Sequence, residues 1–249
     1  MYTLKKSLGQ HFLRDENIAR KIVEALREQP FTRLLEVGPG AGALTKYLIA
    51  IEDIDFRAVE LDDEKIRYLL ATWPALEGKI IHASILDIES PWKEPFTVIG
   101  NFPYNISSQI LFKMLDWRQH LQTMVGMFQK EVAQRVAARE GNKTYGVLSV
   151  LIQAFFTVEN LFEVHEQCFN PPPKVKSAVI RLTPCSAPAL RDEKSFFLLV
   201  KTAFNQRRKT LRNAIRPLFD EATLKDAFFD KRAEQLSVTD FANLTWKMR

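Results

Sequence analysis

The stretch RLLEVGPGAGALTKYLIA, Arg33 to Ala50, decides the fold. An apolar run of strand length, Arg33–Gly38, passes into the glycine-rich turn EVGPGAGA, Glu36–Ala43, and then into a segment of helical spacing. Glycines there let a backbone approach a ligand, and the N-terminus of the next helix offers free N–H groups. The same alternation continues on both sides. Upstream, Asp15–Gln29 reads as a helix with Asp15 as N-cap and Ile18, Ile22, Val23 and Leu26 on one face. Downstream, DFRAVEL is a strand, DDEKIRYLLAT a helix, and KIIHASI and FTVIG two more strands. ISSQILFKML is helical, TMVGMFQ strand-like, KEVAQRVAAR helical, and SAVIRLTP, Ser177–Pro184, a last strand. Strands alternating with helices indicate an α/β, doubly wound parallel sheet with its ligands at the strands' carboxyl ends. Beyond the Pro/Ser/Ala-rich TPCSAPAL only helical segments follow, at about 193–204, 208–219, 221–228 and 240–247. The expected organisation is one domain over residues 1–184 and a small helical domain over 190–249.

Composition narrows the class. The chain has 249 residues, 46% hydrophobic and 26% charged, which suits an ordinary soluble globular protein. Apolar runs such as Phe196–Val200 are far too short to span a bilayer, and the N-terminal segment has no apolar signal core. Met1–Ser7 reads as mobile. Two cysteines, Cys168 and Cys185, and four scattered histidines form no metal-ligand pattern, so no metal is expected. The net charge of +5 is unevenly spread: Lys194–Pro217 holds seven Lys or Arg and no acid. A solvated helix face usually mixes signs, so this segment favours contact with phosphate.

The loop leaves two ligands open. Gly38, Gly40 and Ala43 satisfy the dinucleotide spacing, and Glu60, about twenty residues on, satisfies its ribose-binding acid. S-adenosylmethionine needs the same ribose carboxylate but brings no diphosphate. The acid at Glu36, directly beneath the loop, favours this methyl donor, because a carboxylate suits an amino and sulfonium group better than a diphosphate. Asp87 in SILDI can accept from an adenine amino group, or act as a helix cap or turn acid. FTVIG then delivers Asn101-Phe102-Pro103-Tyr104 to the same sheet edge. By turn chemistry alone this tetrad is a proline turn. Hydride transfer has no use for it, whereas an enzyme acting on an exocyclic amine does. The amine of a purine is a poor nucleophile because its lone pair is delocalised into the ring. Two acceptors, the Asn101 side-chain oxygen and the Phe102 or Pro103 carbonyl, would hold its hydrogens and aim the lone pair at a methyl group. Tyr104 would stack on the base, a contact worth about 1–3 kcal/mol.

Six motifs in order, GQHFL (Gly9–Leu13), EVGPGAG, VELD (Val59–Asp62), GNFPYNIS, FNPPPKVKSAV (Phe169–Val179) and AFNQRRKTLRN (Ala203–Asn213), resemble the ribosomal RNA adenine dimethyltransferases nearly end to end. The bacterial small-subunit branch is the nearest likeness. The resemblance implies a Rossmann-like class I methyltransferase sheet with a small C-terminal all-helical domain. It implies S-adenosylmethionine as donor and N6-dimethylation of two adjacent adenosines near the 3′ end of 16S rRNA in the small ribosomal subunit. The protein would be a monomer in the cytoplasm, with no membrane partner. Carried over by motif, His11 and Leu13 (through their backbone), Gly38 and Gly40 hold the methionine part, Glu60 the ribose and Asp87 the adenine. Asn101 lies between donor and target amine, Pro103 sets the turn, Tyr104 stacks on the base, and Phe169 is a second stacking face. Arg207, Arg208, Lys209 and Arg212 contact RNA, whereas Lys174 and Lys176 could touch phosphate or lie in a solvated loop. His11 stands where Asn is frequent and Phe102 where Leu is frequent. A 23S rRNA methyltransferase of the antibiotic-resistance type shares the cofactor motifs but not AFNQRRKTLRN. A DNA adenine methylase leaves the match in the helical domain unexplained. The basic segment could also support a module that checks ribosome assembly; the intact tetrad and loop argue against a catalytically dead version, and the two roles can coexist.

Overall fold

The computed structural model of the chain describes residues 11–249. The expectation for Met1–Ser7, like Gly9 of the GQHFL motif, lies outside the described residues. Strand β1 (Phe12–Leu13) leads into helix α1 (Glu16–Arg27). Asp15 caps that helix, its Oδ1 accepting from the Asn17 and Ile18 N–H groups at 2.9 and 3.2 Å. Next come β2 (Arg33–Val37), α2 (Thr45–Leu48), β3 (Asp55–Glu60), α3 (Asp63–Thr72), β4 (Ile80–His82), β5 (Phe96–Asn101) and α4 (Ser107–Asp116). Helix α2 is shorter than the sequence suggests, because the glycine-rich turn runs on to Leu44, whose side chain supplies no cap. The chain continues through β6 (Leu121–Gln129), α5 (Lys130–Ala137), α6 (Val147–Gln153), β7 (Phe156–Val164), β8 (Phe169–Asn170) and β9 (Ser177–Pro184).

Seven strands form one sheet in the order β4-β3-β2-β5-β6-β9-β7, and β1 pairs antiparallel with β8 in a separate two-stranded ribbon. β2 is parallel to both β3 and β5, β5 is parallel to β6, and β9 runs antiparallel to β6. From β2 the chain first winds outward through β3 and β4, then returns to lay β5 on the other side. The order reverses between β2 and β5, and a ligand crevice opens at the carboxyl ends of strands at such a switch point. The central strands are buried on both faces, so they read as continuous apolar runs rather than alternating ones.

Contacts within the chain divide it into two compact units. The first ends at Ala133 and resumes over Val158–Pro184; the second takes Gln134–Thr157 and Cys185–Arg249. Gln134–Thr157, which the sequence reading keeps within residues 1–184, thus packs with the C-terminal helices. In the second unit α7 (Glu193–Asn205), α8 (Leu211–Ala214), α9 (Glu221–Leu224) and α10 (Val238–Thr245) gather around aromatic side chains, with Phe204 5.8 Å from Phe241 and 6.0 Å from the buried Tyr145. Asp192 and Ser237 cap α7 and α10. No helix among the described residues is long and apolar enough to cross a membrane.

Candidate active site

The EVGPGAG loop leaves β2 at the switch point, with Gly38 and Gly40 at φ of +66° and +57°. That conformation belongs to glycine, and at Gly40 a Cβ would also press on the Phe12 ring at 3.1 Å. Glu60, at the end of β3, ties the loop down. Its Oε2 accepts from the Gly40 N–H at 3.2 Å, and its Oε1 accepts from the Leu61 and Asp62 N–H groups at 2.9 and 3.0 Å. Beneath the loop Glu36 is 1% exposed, and its Oε2 has no hydrogen-bond partner among the described residues. Burial pushes its carboxyl up to about 8, and the nearby Glu60 carboxylate adds to the rise. Thr45 pulls the other way, but its hydroxyl makes no hydrogen bond of good geometry, so desolvation wins.

On the adjacent strand, β5 ends at Asn101. The Asn101 Nδ2 donates to the His11 carbonyl at 3.1 Å, fixing the amide's orientation across a sequence separation of 90 residues. Phe102 is buried under the tetrad, 4.8 Å from the Phe128 ring. Pro103 opens a 3-10 turn over Tyr104–Ile106, and its carbonyl accepts from the Ile106 N–H at 3.3 Å. Asn105 lies in that turn, and Ser107 begins α4. The Tyr104 hydroxyl bonds Ser177 at the start of β9, and burial raises its pKa against that bond. The His11 ring stacks on Tyr104, with centroids 5.5 Å apart and planes at 30°.

Two clefts meet here. One is lined by His11, Glu36, Gly40, Lys65, Asn101 and Tyr104, the other by Val59, Leu61, Ser84, Ile85, Leu86 and Ile106. Gly38, Glu60 and Pro103 line both. The fold thus brings together His11, Leu13, Gly38, Gly40, Glu60, Asn101, Pro103 and Tyr104.

Two expected residues are elsewhere. Asp87 is exposed in a turn, outside both cleft linings, because β4 stops at His82; Ser84 takes the place in the wall. Phe169 is 0% exposed, paired with Leu13 across the β1–β8 ribbon and packed in the core of the sheet unit. It offers no free stacking face. One lining residue that the sequence reading missed is Lys65 of α3, 2% exposed, with Nζ 4.9 Å from the Phe12 ring centroid. Its lysine type disguises it, since the helix pattern reads such a position as solvated.

In the basic segment, Arg208 and Lys209 are exposed and make no ion pair among the described residues. Arg212 is committed inside its own unit: Nε donates to the Leu224 carbonyl at 2.9 Å, and a second nitrogen reaches Asp230 at 3.0 Å. Arg207 lies 3.8 Å from Glu234 and donates to the Asn142 carbonyl.

A doubly wound sheet whose loops at the switch point carry a glycine-rich turn, a ribose-type acid and an amide–proline–aromatic tetrad defines a Rossmann-like class I methyltransferase. A dimethyladenosine transferase from Plasmodium falciparum superposes with a TM-score of 0.78 at 25% identity, covering 96% of this chain and 99% of that one. The 23S rRNA methyltransferase ErmE gives 0.67 at 26% identity, covering 93% and 99%. The chain belongs to the ribosomal RNA adenine dimethylase family, whose model matches residues 1–246. Among curated relatives, the ribosomal RNA small subunit methyltransferase A of Cytophaga hutchinsonii is 51% identical over 97% of this chain and 95% of its own. The protein of the same name from Bacteroides fragilis is 52% identical over 97% and 90%.

Proposed function

We propose that this chain transfers methyl groups from S-adenosylmethionine to N6 of two adjacent adenosines in the 3′-terminal hairpin loop of 16S rRNA, giving N6,N6-dimethyladenosines during small-subunit biogenesis. We read it as a cytoplasmic monomer that needs neither membrane nor metal. The observation that carries the reading is the Asn101 Nδ2 bond to the His11 carbonyl. With the nitrogen committed there, the Asn101 oxygen is left to accept from a target amine.

The clefts fit this donor better than a dinucleotide. Glu60 brings a carboxylate to the cleft and Glu36 a buried carboxyl that a bound cation would help to ionise, so a sulfonium and an ammonium are favoured there over a diphosphate. Gly38, Gly40 and the His11 and Leu13 backbone would hold the methionine part, Glu60 the ribose, and the wall at Ser84 and Ile85 the adenine. When bound, the donor supplies a methyl group already activated by its sulfonium. The protein's work is then positioning and local electrostatics. Asn101 and the Phe102 carbonyl hold the two amine hydrogens and turn the nitrogen lone pair toward the methyl carbon. Tyr104 stacks on the extruded base, which has left its own stack. As the N–C bond forms, the C–S pair moves to sulfur, and the methylated nitrogen gives its proton to water.

The test uses labelled donor and small ribosomal subunits that lack the modification. Label should reach adenine N6 in the wild type. Asn101→Ala should lower the rate by about 10²–10³-fold while donor affinity stays within a small factor. Absence of label from adenine in the wild type, across low and moderate salt, would refute the proposal.

A further inference from the structure

We infer that Lys65 receives the α-carboxylate of the methyl donor and so selects donors that carry one. The inference rests on the proposed use of S-adenosylmethionine and names a further contact in that cleft.

Lys65 breaks the local rules of its helix. It is the third residue of α3, in a first turn where the helix dipole favours anions, and its neighbours Asp63 and Glu64 obey that preference. Lysine is among the residues least often fully buried, yet this one is 2% exposed. A buried ammonium is costly unless an opposite charge meets it. Conflicts of this kind between residue type and position are expected where a site demands them.

The surroundings indicate what this site demands. The Lys65 ammonium lies 4.9 Å from the centre of the Phe12 ring, a cation–π contact. The same ring presses on the glycine loop, where a Cβ on Gly40 would stand 3.1 Å from it. Lys65 is thus held at the end of the cleft where β1 meets the Gly38–Gly40 turn. That is the end proposed to take the methionine part of the donor. The methionine part brings an ammonium, a sulfonium and a carboxylate. For the two cations the lining offers the Glu60 carboxylate and the Glu36 carboxyl. For the anion, Lys65 is the one lysine or arginine among the described lining residues.

The assignment has a consequence for selectivity. A decarboxylated donor keeps the sulfonium, the methyl group and the nucleoside, but offers nothing to Lys65. The spent donor, S-adenosylhomocysteine, loses its sulfonium charge and keeps the carboxylate. The contact is therefore equally available before and after transfer, and contributes to holding donor and product alike.

Titration calorimetry on the full chain tests this with three ligands: S-adenosylmethionine, its decarboxylated analogue and S-adenosylhomocysteine. The proteins are wild type, Lys65→Met, which keeps the stem and removes the charge, and Lys65→Gln; ligand-free melting curves establish that each is folded. Wild type should bind S-adenosylmethionine about ten- to a hundredfold more tightly than the decarboxylated analogue. Both variants should lose most of that ratio, by weakening for the two carboxylated ligands while the decarboxylated one stays within about threefold. Equal weakening for all three ligands would give Lys65 a structural role through Phe12 and overturn the inference. A ratio that the variants leave unchanged, or a wild type indifferent to the carboxylate, would overturn it too. A wild type that binds none of the three removes the donor reading itself.

Discussion

At the scale of the residue, the glycine-loop acid has a pH dependence with a definite sign. The Glu36 carboxyl titrates near 8 in the folded protein, against an ordinary value of 4.5. The folded state holds a proton that the unfolded chain releases between those values. Stability therefore falls as pH rises from about 4.5 to about 8 and levels above it. Glu36→Gln should remove that slope, so its melting temperature should gain on wild type at pH 8.5 relative to pH 6; parallel melting curves at both pH values would count against it. Donor affinity should move the opposite way, because a cationic ligand favours the ionised carboxylate. It should tighten toward pH 8 in the wild type and stay flat in Glu36→Gln, as read by titration calorimetry. How legible such residues are in sequence depends on whether a backbone motif places them. Glu36 and Glu60 bracket a glycine turn and were readable. Asp87 was not, since the nominal strand KIIHASI stops early and its turn presents Ser84. Phe169 looks like any aromatic beside prolines, and only the β1–β8 pairing reveals that it is core.

At the scale of the element, β5 and β6 support the tetrad from beneath. Phe102 folds back over the strand pair, and a Cβ on Gly126 would stand 2.0 Å from its ring. The close approach needs glycine at that one point of β6. Gly126→Ala should displace Phe102, cost about 1–3 kcal/mol of stability through overpacking, and lower methyl transfer beyond the loss of folded protein. Chemical denaturation alongside activity per folded molecule measures both; an unshifted midpoint would show that Phe102 relocates freely. The doubly wound alternation was legible because β2 and β5 are short, mainly apolar runs and β3 alternates apolar Phe56 and Ala58 with charged residues, each bounded by turn signals. Strand β7 was not: it is mostly half-buried or exposed and carries Glu159 and Glu163, so its apolar residues do not alternate. Helix α6 lies within the long apolar stretch VLSVLIQAFF, where periodicity cannot distinguish helix from strand.

At the scale of the whole molecule, charge is concentrated in the helical unit, and the structure divides the four basic candidates by their partners. Neutralising Arg208 or Lys209 to Gln should lower the salt slope of subunit binding by about one each if each meets a phosphate. Arg212→Ala should instead destabilise the helical unit, because it leaves the Leu224 carbonyl and Asp230 without their cation. Salt-dependent filter binding, paired with thermal melts, separates the two outcomes, and an unchanged slope for Arg208→Gln would remove it from the interface. The charge run was plain in sequence, whereas its division into free and committed cations depends on contacts between distant segments. The ribbon of β1 with β8 has a consequence in time. It brings His11 to Pro171 across 160 residues of chain, so the wall that fixes Asn101 is among the last parts of the sheet unit to close. On a ribosome adding about 5–20 residues per second, Pro171 is synthesised roughly ten to thirty seconds after His11. During that interval β2 through β6 can already pair, while the pocket still lacks one side. A nascent chain thus acquires its scaffold before its competence, and cannot engage ribosomal RNA through this site until most of it has been translated.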